Sequence, residues 1–299
     1  MGVDARNEID RIVSFLRSSL EHYKKEGFVV GISGGLDSAA VLKLLLQSVD
    51  RSKIQALVLP EKDTQKLSTS LALDLLKAEH VDYKVLSLTP VLRYIGIYRD
   101  LPLSYIPTRS LRERLVRKYY DNYTKELGKP VFFGQNDYIS KPLPYFYQGI
   151  AYYRIKHRVR TVLLYYYAEQ LNYLVAGCTN LTERRLGYYV RFGDDLSDIA
   201  PIAHLYKTEV RQLSQLLGVP KEILDRPPTP DLLPGITDEY SMGATYDMLD
   251  GILVALDAGL SLKLIKEKYP EKLVDLVREQ IGRTIEEQEK PLMLERLQE

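Results

Sequence analysis

Gly31-Ile32-Ser33-Gly34-Gly35-Leu36-Asp37-Ser38 stands between an apolar run, Phe28-Val29-Val30, and a helix-forming run from Ala39 to Leu46. A strand, a glycine-rich turn and a helix in that order gather backbone N–H groups and a helix N-terminus around one point, where a phosphate group is well held. The spacing excludes two familiar nucleotide loops. A Walker loop ends in Gly-Lys-Ser/Thr, and a dinucleotide fingerprint carries its third glycine two residues later. Neither ending is present. Glycines in such a turn also serve simply to permit positive φ, so the assignment depends on what surrounds them.

The 299 residues are enough to bury a sizeable core, in one large α/β domain or two smaller ones. Lys and Arg total 41 against 40 Asp and Glu, so no global field draws the chain to nucleic acid or an anionic membrane. One cysteine, Cys178, excludes an intrachain disulfide framework, and the four histidines are scattered with no zinc-site spacing. The N-terminus lacks the apolar core of a signal peptide and no stretch of about 18 apolar residues occurs. A soluble, cytoplasmic protein is expected. The 23 tyrosines beside no tryptophan fit amphipathic packing or partner surfaces and name no function.

Ile9, Ile12, Val13, Leu16 and Leu20 recur at helical spacing and predict an amphipathic first helix. Strands are expected at 28–32, 54–59, 83–86 and 173–176, with helices near 38–47, 64–78 and 150–171. Such alternation predicts a parallel, layered α/β sheet, whose ligands lie at the carboxyl ends of the strands. The glycine loop and Gly177–Glu183 both fall there.

From about residue 97 to 149 the alternation breaks, and five prolines and eleven aromatic residues occupy these 53 positions. The aromatic content argues for an ordered insertion, serving as a lid or a subunit contact. Within it 111–127 reads as a helix and Phe132–Asn136 as a turn. Arg109, Arg112, Arg114, Arg117 and Lys118 interleave with tyrosines in a pattern compatible with RNA, but charged helical faces are commonly just solvated, and the overall charge gives RNA no support.

The pattern Ser-Gly-Gly-x-Asp-Ser resembles the pyrophosphate loop of the N-type ATP pyrophosphatases, which cleave ATP between its α and β phosphates. The second half narrows this. Gly177-Cys178-Thr179-Asn180-Leu181-Thr182-Glu183, Gly187-Tyr188-Tyr189, Phe192-Gly193-Asp194, Leu205–Arg211, Leu217–Pro220, Pro227–Leu232 and Thr237-Asp238-Glu239 together resemble ammonia-dependent NAD⁺ synthetases. The resemblance implies a single Rossmann-like α/β domain over 1–299, a parallel sheet flanked by helices of the adenine nucleotide alpha hydrolase-like type, with the aromatic-rich insertion and C-terminal helices after about 243. It also implies an ATP-dependent amidation of deamido-NAD⁺ through an acyl-adenylate, with ATP as co-substrate, Mg²⁺, ammonia as nitrogen donor and a homodimeric assembly.

Carried over position by position, Ser33, Gly34, Gly35 and Ser38 would wrap the leaving pyrophosphate, with Gly31 beside them on the ATP. Asp37 and Glu183 match magnesium ligands and, with Lys207, the catalytic positions. Lys207 and Thr229 match groups on the ATP phosphates; Arg160 and Cys178 match ATP contacts. Arg158, Arg191, Asp194 and Asp198 fall on the deamido-NAD⁺ side. Arg158 and Arg160, two apart on a helix, do not share a face, which fits two ligands. Taken alone, Glu183 is an ordinary helix-start acid and Lys207 an exposed helical lysine.

Two departures fall on the acceptor side. Asp195 and Leu196 replace two glycines of the family pattern, and a C-terminal His-Lys pair is missing where Glu286–Lys290 stands. A relative that adenylates another carboxylate therefore stays open. No glutaminase domain precedes the loop, so free ammonia is expected, with a separate glutaminase partner as the alternative. The loop type predicts AMP and pyrophosphate as nucleotide products, which chromatography of a reaction mixture checks; ADP with phosphate would contradict it.

Overall fold

The structure is a computed structural model that describes residues 4–135, 144–229 and 232–288. Four strands, β1 (Phe28–Gly31), β2 (Ile54–Val58), β3 (Tyr83–Val85) and β4 (Leu174–Ala176), form one parallel sheet in the order β3-β2-β1-β4. Phe28 is paired with Ile54 on one side and Leu174 on the other. Strands covered on both faces read as unbroken apolar runs rather than alternating ones. Phe28, Val29 and Val30 are accordingly all buried.

The helices are α1 (Ala5–Tyr23), α2 (Leu36–Ser48), α3 (Lys66–Ala78), α4 (Thr89–Ile95), α5 (Ile97–Asp100), α6 (Arg109–Leu127) and α7 (Val131–Gly134). They continue with α8 (Phe146–Leu171), α9 (Leu181–Leu186), α10 (Lys207–Leu216), α11 (Lys221–Leu224), α12 (Asp238–Met242), α13 (Tyr246–Asp257), α14 (Leu262–Lys268) and α15 (Glu271–Gln288). The predicted amphipathic first helix is present, capped by Asp4 and closed by Lys24 in the left-handed region. All four strands and the helices expected near 38–47, 64–78, 111–127 and 150–171 form, with shifted ends. Among the described residues no helix is long and apolar enough to cross a membrane.

Because side chains alternate across a strand, the sheet feeds two cores. Phe28, Val30, Ala56 and Ala176 pack with Leu16 of α1, Leu42 of α2 and Val210 of α10. Val29, Leu57 and Val175 pack on the opposite face with Leu92 of α4, Tyr98 of α5 and Tyr152 of α8. A third cluster joins Phe132 and Phe133 to Leu186 and the helices α12 to α15. The turn expected at Phe132–Asn136 is thus a short helix through Gly134, because both phenylalanines are drawn into this core; Asn136 lies outside the described residues.

The insertion is tied to the sheet by a buried polar knot. Lys156 of α8 is wholly buried, with Nζ 3.0 Å from Glu61 and 2.8 Å from Asp63, and it donates to the Leu232 carbonyl at 2.8 Å. Tyr98 donates to Glu61, and Tyr152 and Arg112 to Asp63. Burial opposes the Asp63 charge, but Lys156, Tyr152 and Arg112 together outweigh it and hold the carboxyl below its ordinary range. That contribution is present above the unfolded-state pKa and is lost as pH falls through the folded one. Removing one partner of a buried ion cluster leaves uncompensated charge behind. Lys156→Met should therefore destabilise the fold by about 3–5 kcal/mol in urea unfolding.

Candidate active site

The strand order reverses between β1 and β4, since β2 and β3 lie to one side of β1 and β4 to the other. Loops leaving the carboxyl ends of neighbouring strands diverge at such a point and leave a crevice. A cavity of about 360 Å³ opens there, lined from β1 by the glycine loop and from β4 by Gly177–Thr179.

Each piece of the lining is placed by local chemistry. Ser38 Oγ donates to the Gly35 carbonyl at 3.0 Å and accepts from Ser33 N–H at 3.3 Å, closing the loop on itself. The Gly35 N-cap gives α2 no side-chain cap, so the first N–H groups of α2 remain for a ligand. Gly34 has φ +79°, and a Cβ there would stand 2.1 Å from the Ser68 carbonyl oxygen. It faces α3 rather than the cavity, and only glycine fits that approach.

Opposite the loop, Asn180 and Glu183 form a reciprocal cap at the start of α9. Asn180 accepts from Glu183 N–H at 3.0 Å, while Glu183 Oε2 accepts from Asn180 N–H at 3.1 Å. Asn180 also donates to Asp37 Oδ1 at 3.3 Å, joining the two loops. Asp250 of α13 accepts from Thr182 Oγ1 and Thr208 N–H, and Thr182 accepts from Lys207 N–H, so α9 and α10 begin side by side.

Lys207 thereby reaches the centre. Its ammonium donates to Asp37 Oδ2 and stands 3.9 Å from Glu183 Oε1 and 5.0 Å from the Tyr246 ring centroid. Burial opposes its charge, but Asp37, Glu183 and Asp238 outweigh burial and hold its pKa above the usual lysine range. Burial, then the nearby Asp37 charge, lifts Glu183 well above the usual carboxylate range. Asp238 is likewise raised by burial, and it accepts from Tyr188 and Tyr246. Cys178 is raised by burial beside Asp37, which keeps its thiol protonated and inert.

Of the residues expected at the site, Gly31, Ser33, Gly35, Asp37 and Ser38 line the cavity from the first half. Arg160, Cys178, Glu183, Asp194, Lys207 and Thr229 line it from the second. Arg160 is held by the Leu59 carbonyl and Thr229 by donation to the Ile236 carbonyl. Arg158, Arg191 and Asp198 lie outside the lining. Arg158 donates to the Arg191 carbonyl, and Asp198 accepts from Val175 N–H at 2.7 Å. The two arginines of the Arg-x-Arg pair do diverge, one toward each neighbouring loop.

The sequence profile of the NAD synthase family matches residues 8–101 and 132–290. The chain belongs to the NAD synthase family. It is 56% identical over 292 residues to the NH₃-dependent NAD⁺ synthetase of Coprothermobacter proteolyticus, covering 98% of this chain and 99% of that one. It is 42% identical over 264 residues to the enzyme of that name from Thermotoga maritima, covering 88% and 91%. Among solved structures, NMN synthetase from Francisella tularensis superposes with a TM-score of 0.71 at 25% identity, covering 97% and 98%. The NH₃-dependent NAD synthetase of Campylobacter jejuni shares the fold, with a TM-score of 0.67 at 21% identity, covering 98% and 100%.

The NAD synthase profile leaves 102–131 unmatched, inside the insertion. There Arg109 and Arg112 hold Asp63, and Arg117 donates to the Gly235 carbonyl and lies over Tyr240. These arginines serve the chain's own packing. In the departing segment, Asp195 Oδ1 accepts from Gly193 N–H at 3.1 Å, and Leu196 lines the cavity. The side chains of Glu286–Lys290 lie outside the described residues. Asn180 and Asp238 stand in the matched motifs and Asp250 outside them, and nothing in their spacing shows that they meet Asp37, Lys207 and Thr182.

A carboxyl whose folded pKa is raised adds stability below its unfolded pKa and loses it as pH rises through the folded value. Glu183→Gln should therefore be the more stable protein at neutral pH, by roughly 2–4 °C in Tm or about 1 kcal/mol. The gap should close as pH falls to the ordinary carboxylate range, while activity drops by about 10²-fold or more. Thermal scans across pH, with an AMP assay, check both.

Proposed function

We propose that this chain amidates deamido-NAD⁺ to NAD⁺ with ammonia and ATP, through an acyl-adenylate, releasing AMP and pyrophosphate. The observation that carries the reading is the convergence of the pyrophosphate-type loop, Glu183 and Lys207 on one cavity, in a chain similar along almost its whole length to NH₃-dependent NAD⁺ synthetases. ATP is a co-substrate of NAD synthetases.

A carboxylate is a poor electrophile until AMP makes half of it a leaving group. An oxygen of the nicotinate carboxylate bonds to the α-phosphorus as the α–β bridging P–O bond breaks, its electron pair leaving with pyrophosphate. Ammonia then bonds to the acyl carbon, the C–O bond to AMP breaks, and the nitrogen sheds one proton. The loop N–H groups and the α2 N-terminus face the charge that develops on pyrophosphate. Lys207 supplies an ammonium fixed between two carboxylates and so already aimed.

Magnesium takes oxygen ligands, commonly one or two carboxylates completed by substrate phosphates. Asp37 and Glu183 fit that description, and no group of three or more acidic, His or Cys side chains among the described residues offers a fuller cage. When bound there, Mg²⁺ would neutralise polyphosphate charge. Arg160 and Thr229 belong to the ATP side in this reading, and Asp194, with Arg158, Arg191 and Asp198 farther out, to the acceptor side. A homodimer is part of the reading, supported by the exposed Val162 and Tyr166 on α8, as are a cytoplasmic location and free ammonia as donor.

The likeness to an NMN synthetase, together with Asp195 and Leu196 in the departing segment, favours a second reading in which the acid is the corresponding mononucleotide. Supplying each acid with ATP, Mg²⁺ and ammonium and measuring the amide separates the two. The first reading expects NAD⁺ and AMP in equal amounts, with the dinucleotide acid preferred in kcat/KM by about tenfold or more. Preference for the mononucleotide would establish the second.

A further inference from the structure

The phosphate end of the cavity holds a cation to which the matched motifs assign no part. Arg226 follows α11, directly before Pro227-Pro228-Thr229, and lines the cavity beside the glycine loop. Its guanidinium donates to the Gly34 carbonyl at 3.3 Å from one terminal nitrogen and to Ser68 Oγ at 2.7 Å from the other. It therefore bridges the glycine loop and the first turn of α3. These contacts use two of the five N–H donors that a guanidinium carries in a rigid fork.

Charge distinguishes this residue from the other cation at the centre. Lys207 is matched by Asp37 and Glu183, with Asp238 adding to their field. Asp194 and Glu239 line the same cavity. A polyanion entering it therefore meets carboxylates whose close ammonium, that of Lys207, is already engaged. Arg226, by contrast, has no carboxylate within ion-pair distance among the described residues, and neutral oxygens hold it in place. A fork of N–H donors held beside a phosphate-type loop matches phosphate oxygens in shape as well as charge.

We propose that Arg226 grips the outer phosphates of ATP and retains the pyrophosphate as it departs. The proposal rests on the amidation reading only in taking ATP as the nucleotide. As the α–β bond breaks and its electron pair moves to pyrophosphate, Arg226 and the loop N–H groups share the added charge. Neutralising that charge on the leaving group speeds the adenylation half-reaction, and a tight hold makes pyrophosphate a product inhibitor.

Calorimetric titration of the whole chain with inorganic pyrophosphate, and separately with AMP, tests this with no acceptor acid present. The outcome is therefore independent of which acid is amidated. Arg226→Gln should weaken pyrophosphate binding by about tenfold or more, the scale of a lost charge-assisted contact, and change AMP binding by less than about twofold. Arg226→Lys keeps the charge without the fork and should fall between. AMP lacks the outer phosphates, so a merely structural role would weaken both ligands alike. Equal losses, or unchanged pyrophosphate binding in the folded variant, would overturn the proposal. Where Arg226→Gln fails to fold in a thermal scan, Arg226→Lys decides on the same criterion: a selective loss for pyrophosphate supports the role, and none overturns it.

Discussion

Everything at this site depends on the parallel pairing of β1 with β4, which sets Val30 opposite Ala176. That register brings two cavity-lining loops to the same edge of the sheet, although they are separated by almost half of the chain's length. Parallel strands cannot be joined by tight turns, and the connection here is long enough to hold α2, α3, the insertion and α8. The same connection puts helices on both faces of the sheet. The apolar strands and the crevice at their ends are two consequences of one topology.

Within the crevice the governing balance is electrostatic. Asp37, Glu183 and Asp238 gather where water is scarce, and Lys207 stands among them. Burial lifts Glu183 and Asp238 above the usual carboxylate range, a sign that the protein alone does not satisfy them. Surrounding structure restrains the groups: the Asn180 cap on Glu183, the two tyrosine hydroxyls on Asp238, and the tie from Asp250 to α9 and α10. The site is held in a state that an added positive charge would relieve. Strain of this kind is the usual price of a prepared active site.

The fold was legible because its signals are local: apolar runs of strand length, glycines at the β1–α2 turn, and helical spacing between them. The short helices α4 and α5 escaped notice, since four to seven residues are too few to show a period. Lys156 was hidden for the opposite reason. A lysine within a strongly helical, tyrosine-rich stretch looks solvated, and only the tertiary approach of Glu61 and Asp63 makes it the centre of a buried knot. At the site, Asp37, Glu183 and Lys207 were visible through motif resemblance, the last two with an equally ordinary local explanation. Glu183 proves to be both things at once, a helix-capping acid and a neighbour of Lys207. Arg226 carried no local signal, because its significance lies in the distant loop it touches.

The central claim is that the acid is activated by transfer of AMP to its own carboxylate, and the fate of the carboxylate oxygens tests this directly. Deamido-NAD⁺ labelled with oxygen-18 in the nicotinate carboxylate should be turned over with ATP and ammonium, and the products weighed by mass spectrometry. If the acyl-adenylate forms at this cavity, one labelled oxygen remains in the amide and the other appears in the phosphate of AMP. Label in pyrophosphate or orthophosphate, or AMP free of label, would contradict the account.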